Sequence, residues 1–524
     1  MVENLPRVTY SNIRADFSGV HALLDRHIPK FRSERLGAIW PNRIGGVNNA
    51  SGEVYAAPCP IDRRVTLGHF HAADAHAVSL AVTTAREAFH VWSRESWQDR
   101  VAVMRRLAEE LEARKHDLAV ACLLEVGKSR MEAMGEAEEA IDLVRYYADE
   151  MEANAGFVRP LRQAFPQEET GDVLRPFGVF AVISPFNFPL ALSVNMISAA
   201  LLAGNTVVYK PSPLAGLTGM LLTQAIEAAS VPPGAINLVC GGAETGALLA
   251  RHPRIDGIAF TGSHRVGMDL LRAVAGGDTN RPVIVEMGGK NPTYVTASAD
   301  LDMAAEGVMR SAFGLQGQKC SAGSKVYVHA AVHEGFMARL KALTEKIVVG
   351  DPAERNVFMG PLIDESALER FRSVVRAASE AGHVVAGGDV LSGGPFDHGA
   401  YVAPTIVAGI NPHHRINKDE LFLPLLSVLT FTDLATAIAD GNDVLYGLTA
   451  GCYAQDEDEL AIFLEHAEAG VLYANRASGA TTGAWPGIQS FCGWKGSGVS
   501  GKGGLGPYYL PQFMREQSRT IWRG

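Results

Sequence analysis

From about Asp74 to Met151, apolar residues recur at helical spacing in VAVMRRLAEELEARKHDLAVACLLEVG and in AEEAIDLVRYYADEM, and this pattern predicts a helical region. The rhythm then changes. VLRPFGVFAVISPFNFP and NTVVYKPS are short apolar runs closed by Pro and Gly, which predicts strands, with the helical SVNMISAALLAG between them. The alternation continues through GMLLTQAIEAAS, AINLVCG, TGALLARH, GIAFTGS, RVGMDLLRAVA and RPVIVEMGG. Parallel neighbours cannot be joined by a hairpin, so this order implies a parallel sheet with crossover helices, a doubly wound nucleotide-binding domain. A second alternating series begins near Pro292, with AAEGVMRSAFG, SKVYVHA, EGFMARLKALTEKI and ELAIFLEHAEAG, and predicts a second α/β domain. Between Ala477 and Pro507 Gly and Ser dominate, which predicts loop and close backbone approach to a neighbour.

The chain has 524 residues, enough for about three domains at roughly 150 residues each. With 47% hydrophobic and 20% charged residues, 54 Gly and 26 Pro, disordered, collagenous and coiled-coil classes are excluded. A net charge of −10 provides no basic surface for a polyphosphate backbone, so nucleic acid is not an expected partner. Cys59, Cys122, Cys240, Cys320, Cys452 and Cys492 form no CxxC pair, which fits reduced thiols in the cytoplasm. The first twenty residues mix charges with polar residues and hold no apolar leader core. The most apolar stretch, Phe177 to Tyr209, is broken by Pro185, Asn187, Pro189, Asn195 and Asn205, so no membrane span is expected. His69, His71 and His76 lack acidic or cysteine companions at ligand spacing, and no metal is expected.

Four places can carry chemistry. Cys320, in GLQGQKCSAGS, lies just before a strand, and its thiol attacks only as thiolate, favoured by nearby positive charge or oriented backbone N–H groups. Glu286 ends an apolar strand and is followed by two glycines, where open parallel sheets place ligand crevices. Asn187, among aromatics and prolines in SPFNFP, is suited to capping a turn or to donating to developing negative charge. Lys210 ends another strand, and Gly262 and Ser263 open a helix whose N–H groups can receive phosphate. No GxGxxG fingerprint is present, and the cluster from Cys240 to Gly246 is weak by itself.

Taken in order, SPFNFP, VVYKPS, FTGSHRVG, VEMGGKNP, GQKCSA and DELFLP resemble the aldehyde dehydrogenase superfamily over nearly the whole chain. That resemblance implies an α/β subunit with a Rossmann-type NAD(P)-binding domain over 1–158 and 178–288 and a catalytic domain over 289–476. A small oligomerisation β-sheet with bridging elements is implied over 159–177 and 477–524, in a homodimer or higher homo-oligomer. It implies Cys320 as nucleophile, Glu286 as the base that activates water and Asn187 as oxyanion donor. The dinucleotide site it implies takes Ile183, Ser184, Pro185 and Phe186 from the first motif and Lys210 and Ser212 from the second. Gly242 and Gly246 follow, then Phe260, Thr261, Gly262 and Ser263, then Met287 and Gly288, and finally Glu420 and Phe422. NAD is the implied cofactor, with NADP possible because Pro213 stands where many NAD-specific relatives carry Glu. Leu423, in place of Gly, adds bulk behind Phe422.

EVGKSRMEAMGEAEEAIDLVRYYADEM, GLQGQKCSA and NRASGATTG narrow the resemblance to the pyrroline-5-carboxylate (glutamate semialdehyde) dehydrogenase branch. This implies oxidation of L-glutamate γ-semialdehyde to glutamate, its α-carboxylate gripped by Ser321, Gly479 and Ala480. The alternatives are another aliphatic or aromatic aldehyde, or a catalytically silent dinucleotide-binding scaffold. AWPGIQSFCGW is about four residues longer than the branch's usual turn, and it places Trp485, Phe491 and Trp494 as candidates to line or close the substrate tunnel or to pack on the oligomer.

Overall fold

The structure is a computed structural model that describes residues 5–12, 15–277, 280–476 and 484–524. Its first large sheet runs in the order Val283–Glu286, Gly257–Thr261, Val179–Ile183, Thr206–Lys210, Ile236–Leu238, Asn42–Ile44, Val47–Asn49. The first five are parallel, and the last two form an antiparallel hairpin at the edge. Val179–Ile183, Thr206–Lys210 and Gly257–Thr261 are buried at every position, as strands covered on both faces must be, which explains why they read as unbroken apolar runs. From Val179–Ile183 the chain winds outward one way through Thr206–Lys210 to Ile236–Leu238. It then returns to the other side for Gly257–Thr261 and Val283–Glu286. The order reverses between Val179–Ile183 and Gly257–Thr261, and a crevice opens outside the carboxyl ends of strands at such a point.

The helical region consists of Ala75–Trp92, Trp97–Val126 and Arg130–Ala153. Their ends are written in the sequence. Asp74 accepts from the Ala77 N–H, Ser96 accepts from Asp99 N–H, and Gly127 closes the second helix at φ +77°. Two carboxylates from this region reach under the parallel sheet. Glu125 accepts from Leu217 N–H at 2.6 Å and Thr218 N–H at 2.8 Å, at the start of helix Gly216–Ala228. Glu136 accepts from Leu190 N–H at 2.9 Å and Ala191 N–H at 3.1 Å, at the start of helix Ala191–Leu202. Each places negative charge on a helix's orphaned amides in the core, which fixes the crossover helices on that face.

The second sheet is ordered His383–Ala386, Thr405–Ala408, Leu425–Phe431, Gly323–His329, Asn291–Val295, Thr449–Tyr453, Val471–Ala474, and its first strand alone is antiparallel. A third sheet joins Val158–Pro160 and Glu168–Pro176 to the C-terminal strand Met514–Trp522, antiparallel throughout and paired over nine residues of that strand. Two features lie outside the sequence expectations. Helix Ser18–Arg35 carries an internal Pro29 and no side-chain cap, and the strands of the sheet Ile39–Trp40, Thr66–His71, Val54–Pro58 have two to six residues. Both are too weakly patterned to declare themselves. Among the described residues no helix is long and apolar enough to cross a membrane, and no group of three or more His, Cys, Asp or Glu is arranged to hold a metal.

Candidate active site

Helix Leu301–Phe313 ends at Gly314, and the chain then takes left-handed backbone at Leu315 (φ +50°), Gln316 (φ +56°) and Gly317 (φ +65°) before reaching Cys320. A side chain at Gly317 would strike the Leu423 carbonyl, so this turn needs glycine. Two non-glycine residues in this region of φ/ψ space are strained, and the surroundings hold them there. The buried Gln316 side chain donates to the Gly127 carbonyl at 2.6 Å, and Gln318 accepts from the Ile363 N–H at 3.1 Å. Glutamines that periodicity could not single out therefore pin the segment that presents the thiol.

Cys320 lines two cavities at once. The larger, about 730 Å³, also exposes Asn187, Lys210, Thr261 and Phe422. The smaller, about 70 Å³, also exposes Glu286, Ser321, Phe188 and Phe491. Glu286, at the end of Val283–Glu286, is buried, and its Oε1 accepts from the Gly504 N–H at 3.0 Å. Burial pushes its carboxyl up to about 7, against that one opposing hydrogen bond. Asn187, buried after Val179–Ile183, donates to the Gln318 carbonyl at 3.1 Å. Of the two activating influences named from the sequence, oriented backbone N–H groups are present at the thiol. Burial, with Glu420 and Glu286, pushes it up to about 12, and the backbone N–H groups of Ser321 and Cys320 only partly oppose this. A sulfur so shifted is a thiol near neutral pH, and its attack requires a proton acceptor.

Ile183, Ser184, Pro185, Phe186, Lys210, Ser212, Gly242, Gly246, Phe260, Thr261, Gly262, Ser263, Met287, Gly288, Glu420 and Phe422 all line the larger cavity, which sits at the carboxyl ends where the strand order reverses. Lys210 Nζ donates to the carbonyls of Pro211 at 2.9 Å and Gly241 at 3.0 Å, and burial pulls its ammonium down to about 8. Gly246 lies beside it, and a Cβ there would make an ordinary contact of 3.4 Å with Lys210 Cε. Ser263 caps helix His264–Ala275, and Ser263 and Val266 of its first turn line the cavity. Glu420 Oε1 accepts from the Gly289 N–H at 3.0 Å, and burial raises its carboxyl to about 7. Phe422, at φ +57°, meets Phe186 edge-on at 5.9 Å. The bulk of Leu423 turns away from the cavity into an apolar cluster. The sequence reading missed Arg251 and Arg370, two cations on this cavity. Single exposed arginines carry no sequence signal.

Ser321 borders the smaller cavity, whereas Gly479 and Ala480 lie outside the described residues. Of the aromatics in the longer loop, Phe491 lines this cavity. Trp485 packs behind it, donating to Asp142 Oδ2 at 2.9 Å, and Trp494 pairs with Gly447 in a short exposed ladder. Two lining residues were not anticipated, Glu139 and Tyr10. Burial raises the Glu139 carboxyl to about 7.

Residues 47–518 match the model of the aldehyde dehydrogenase family. The chain is 35% identical over 494 residues to 1-pyrroline-5-carboxylate dehydrogenase 1 of Halalkalibacterium halodurans, covering 93% of each. It is 34% identical over 495 residues to 1-pyrroline-5-carboxylate dehydrogenase 2 of Bacillus subtilis, covering 93% of this chain and 94% of that protein. The crystal structure of 1-pyrroline-5-carboxylate dehydrogenase from Thermus with bound NAD superimposes with a TM-score of 0.93 at 32% identity, covering 100% of both chains.

Proposed function

Because the chain belongs to the aldehyde dehydrogenase family, we propose that it oxidises L-glutamate γ-semialdehyde to glutamate with NAD, through a covalent adduct on Cys320. The observation that carries this reading is the position of Cys320 as shared wall of both cavities, with Asn187 on the larger and Glu286 on the smaller. The larger cavity fits a dinucleotide. Its volume of about 730 Å³ lies within the usual range for cofactor sites, and Lys210 and Glu420 offer hydroxyl partners. A helix N-terminus beside Ser263 offers amides to a pyrophosphate. When bound, NAD supplies the hydride acceptor.

The sulfur of Cys320 adds to the aldehyde carbon as the thiol proton leaves, and Glu286, ionised above about pH 7, accepts that proton. The carbonyl oxygen becomes an oxyanion, held by the Asn187 amide and the Cys320 backbone N–H. Loss of hydride from the tetrahedral carbon leaves a thioester on Cys320. Glu286 passes that proton to solvent and then takes a proton from the water that attacks the thioester carbon; collapse releases the carboxylic acid, and the proton on Glu286 returns to the Cys320 sulfur. The buried site keeps other water from the adduct.

The substrate assignment rests on the relatives' activity and on the polarity of the smaller cavity, where the Ser321 hydroxyl can donate to a carboxylate and the Glu139 carboxylate can receive an ammonium. The division into 1–158 with 178–288, 289–476, and 159–177 with 477–524 is supported by the two seven-stranded sheets and by the sheet that joins Glu168–Pro176 to Met514–Trp522. The third sheet leaves Val158, Ile521 and Trp522 exposed, which supports assembly into a homo-oligomer through that face. Six free cysteines support a reducing compartment such as the cytoplasm. Steady-state turnover of glutamate semialdehyde against aliphatic and aromatic aldehydes, with NAD and with NADP, tests the reading. A kcat/KM for glutamate semialdehyde below those of the simple aldehydes would reject the substrate, and retained turnover in Cys320→Ala would reject the nucleophile.

A further inference from the structure

The N-terminal arm is folded onto the active-site helix Arg130–Ala153 by several independent contacts. Arg7 Nε donates to Glu138 Oε2 at 2.9 Å and its guanidinium pairs with Asp142 at 2.8 Å. Val8 is buried, and Asn12 ties the arm into a turn, its Oδ1 accepting from the Thr9 N–H at 2.8 Å and its Nδ2 donating to the Arg7 carbonyl at 2.7 Å. This arm delivers Tyr10 to the cavity that contains Cys320 and Glu286. The Tyr10 hydroxyl donates to Glu139 Oε2 at 2.7 Å, and its ring meets Trp485 edge-on at 5.4 Å. Trp485 donates to Asp142, the carboxylate that pairs with Arg7. The arm and the longer loop thus close on each other over one aspartate.

The helix is adapted to this ring. Gly135 lies inside Arg130–Ala153, where glycine costs about 1 kcal/mol relative to alanine, and a Cβ there would sit 3.1 Å from Tyr10 Cε1. Room for the tyrosine is therefore kept at the expense of helix stability.

We propose that Tyr10 is a specificity-determining residue, whose ring walls the aldehyde cavity and limits the length of substrate that reaches Cys320. The inference rests on the aldehyde-oxidising reading of Cys320. A hydrophobic wall discriminates between chain lengths by about 10-fold or more per well-placed contact. Short aldehydes fit beside the ring, and longer ones collide with it.

The test compares kcat/KM for heptanal and propanal in the wild type, Tyr10→Ala, Tyr10→Leu and Tyr10→Phe, with melting temperature and NAD affinity measured on each. Tyr10→Ala is expected to raise the heptanal-to-propanal ratio by about 10-fold. Tyr10→Leu, more conservative for folding, shifts it less in the same direction. Tyr10→Phe keeps the ring while releasing Glu139, and leaves the ratio within about twofold. An unchanged ratio in folded Tyr10→Ala and Tyr10→Leu overturns the wall and assigns Tyr10 to anchoring the arm, as does an equal shift in Tyr10→Phe. Loss of every aldehyde turnover in the wild type would instead overturn the reading of Cys320, and the wall with it.

Discussion

The carboxylate of Glu286 accepts a hydrogen bond from the Gly504 backbone N–H at 3.0 Å and is buried. Two segments 218 residues apart in the chain thereby fix the base of the site, and the low polarity around it raises the carboxyl to about 7.

A base must be ionised to take a proton, so the folded group is inactive below its own pKa and active above it. The expected outcome is a kcat that rises through an apparent pKa of about 7. Glu286→Gln removes that limb and lowers kcat by about 10²- to 10⁴-fold. A rate profile in the variant that still turns on near neutrality would place the titrating group elsewhere.

Asn187→Ala removes one oxyanion donor. The expected loss is about 10²- to 10³-fold in kcat with little change in aldehyde KM, because the charge exists only after attack. Single-turnover kinetics check this, and a loss confined to KM would assign Asn187 to substrate binding.

Gly288→Ala places a methyl group into the Glu420 carboxylate. The expected displacement weakens NAD binding by roughly 10-fold, the scale of one lost hydrogen bond to a charged group, while the melting temperature changes little. Titration by protein fluorescence reads the affinity, and undiminished binding would separate Glu420 from the cofactor.

Glu136→Ala leaves buried Lys128, its partner at 2.5 Å with both side chains 0% exposed, without its counter-charge, and strips two helix amides of their acceptor. Removing one member of a buried pair costs about 3–5 kcal/mol, so thermal unfolding should move down by several degrees or the protein should fail to accumulate. A melting temperature equal to wild type would show that the pair is dispensable.

The parallel sheets were legible because their central strands are buried on both faces and so appear as unbroken apolar runs between turn residues, as in Val179–Ile183 and Gly257–Thr261. Sixteen of the residues that line the larger cavity were legible through ordered motifs, since they cluster at strand ends where the chain must turn. Gln316 and Gln318 were not. Their task is to hold strained backbone, and it is set by partners at Gly127 and Ile363, which lie far away in the chain.

By itself the sequence determined the alternation of strand and helix, the order of the motifs and the types of reactive group, because these depend on local pattern. Tertiary structure alone decided the protonation of Cys320 and Glu286, since a pKa follows burial and neighbours rather than residue type. It also decided that Tyr10, in a short N-terminal arm with no motif, stands in the same cavity as Cys320, 310 positions later, because only packing on helix Arg130–Ala153 brings the two together.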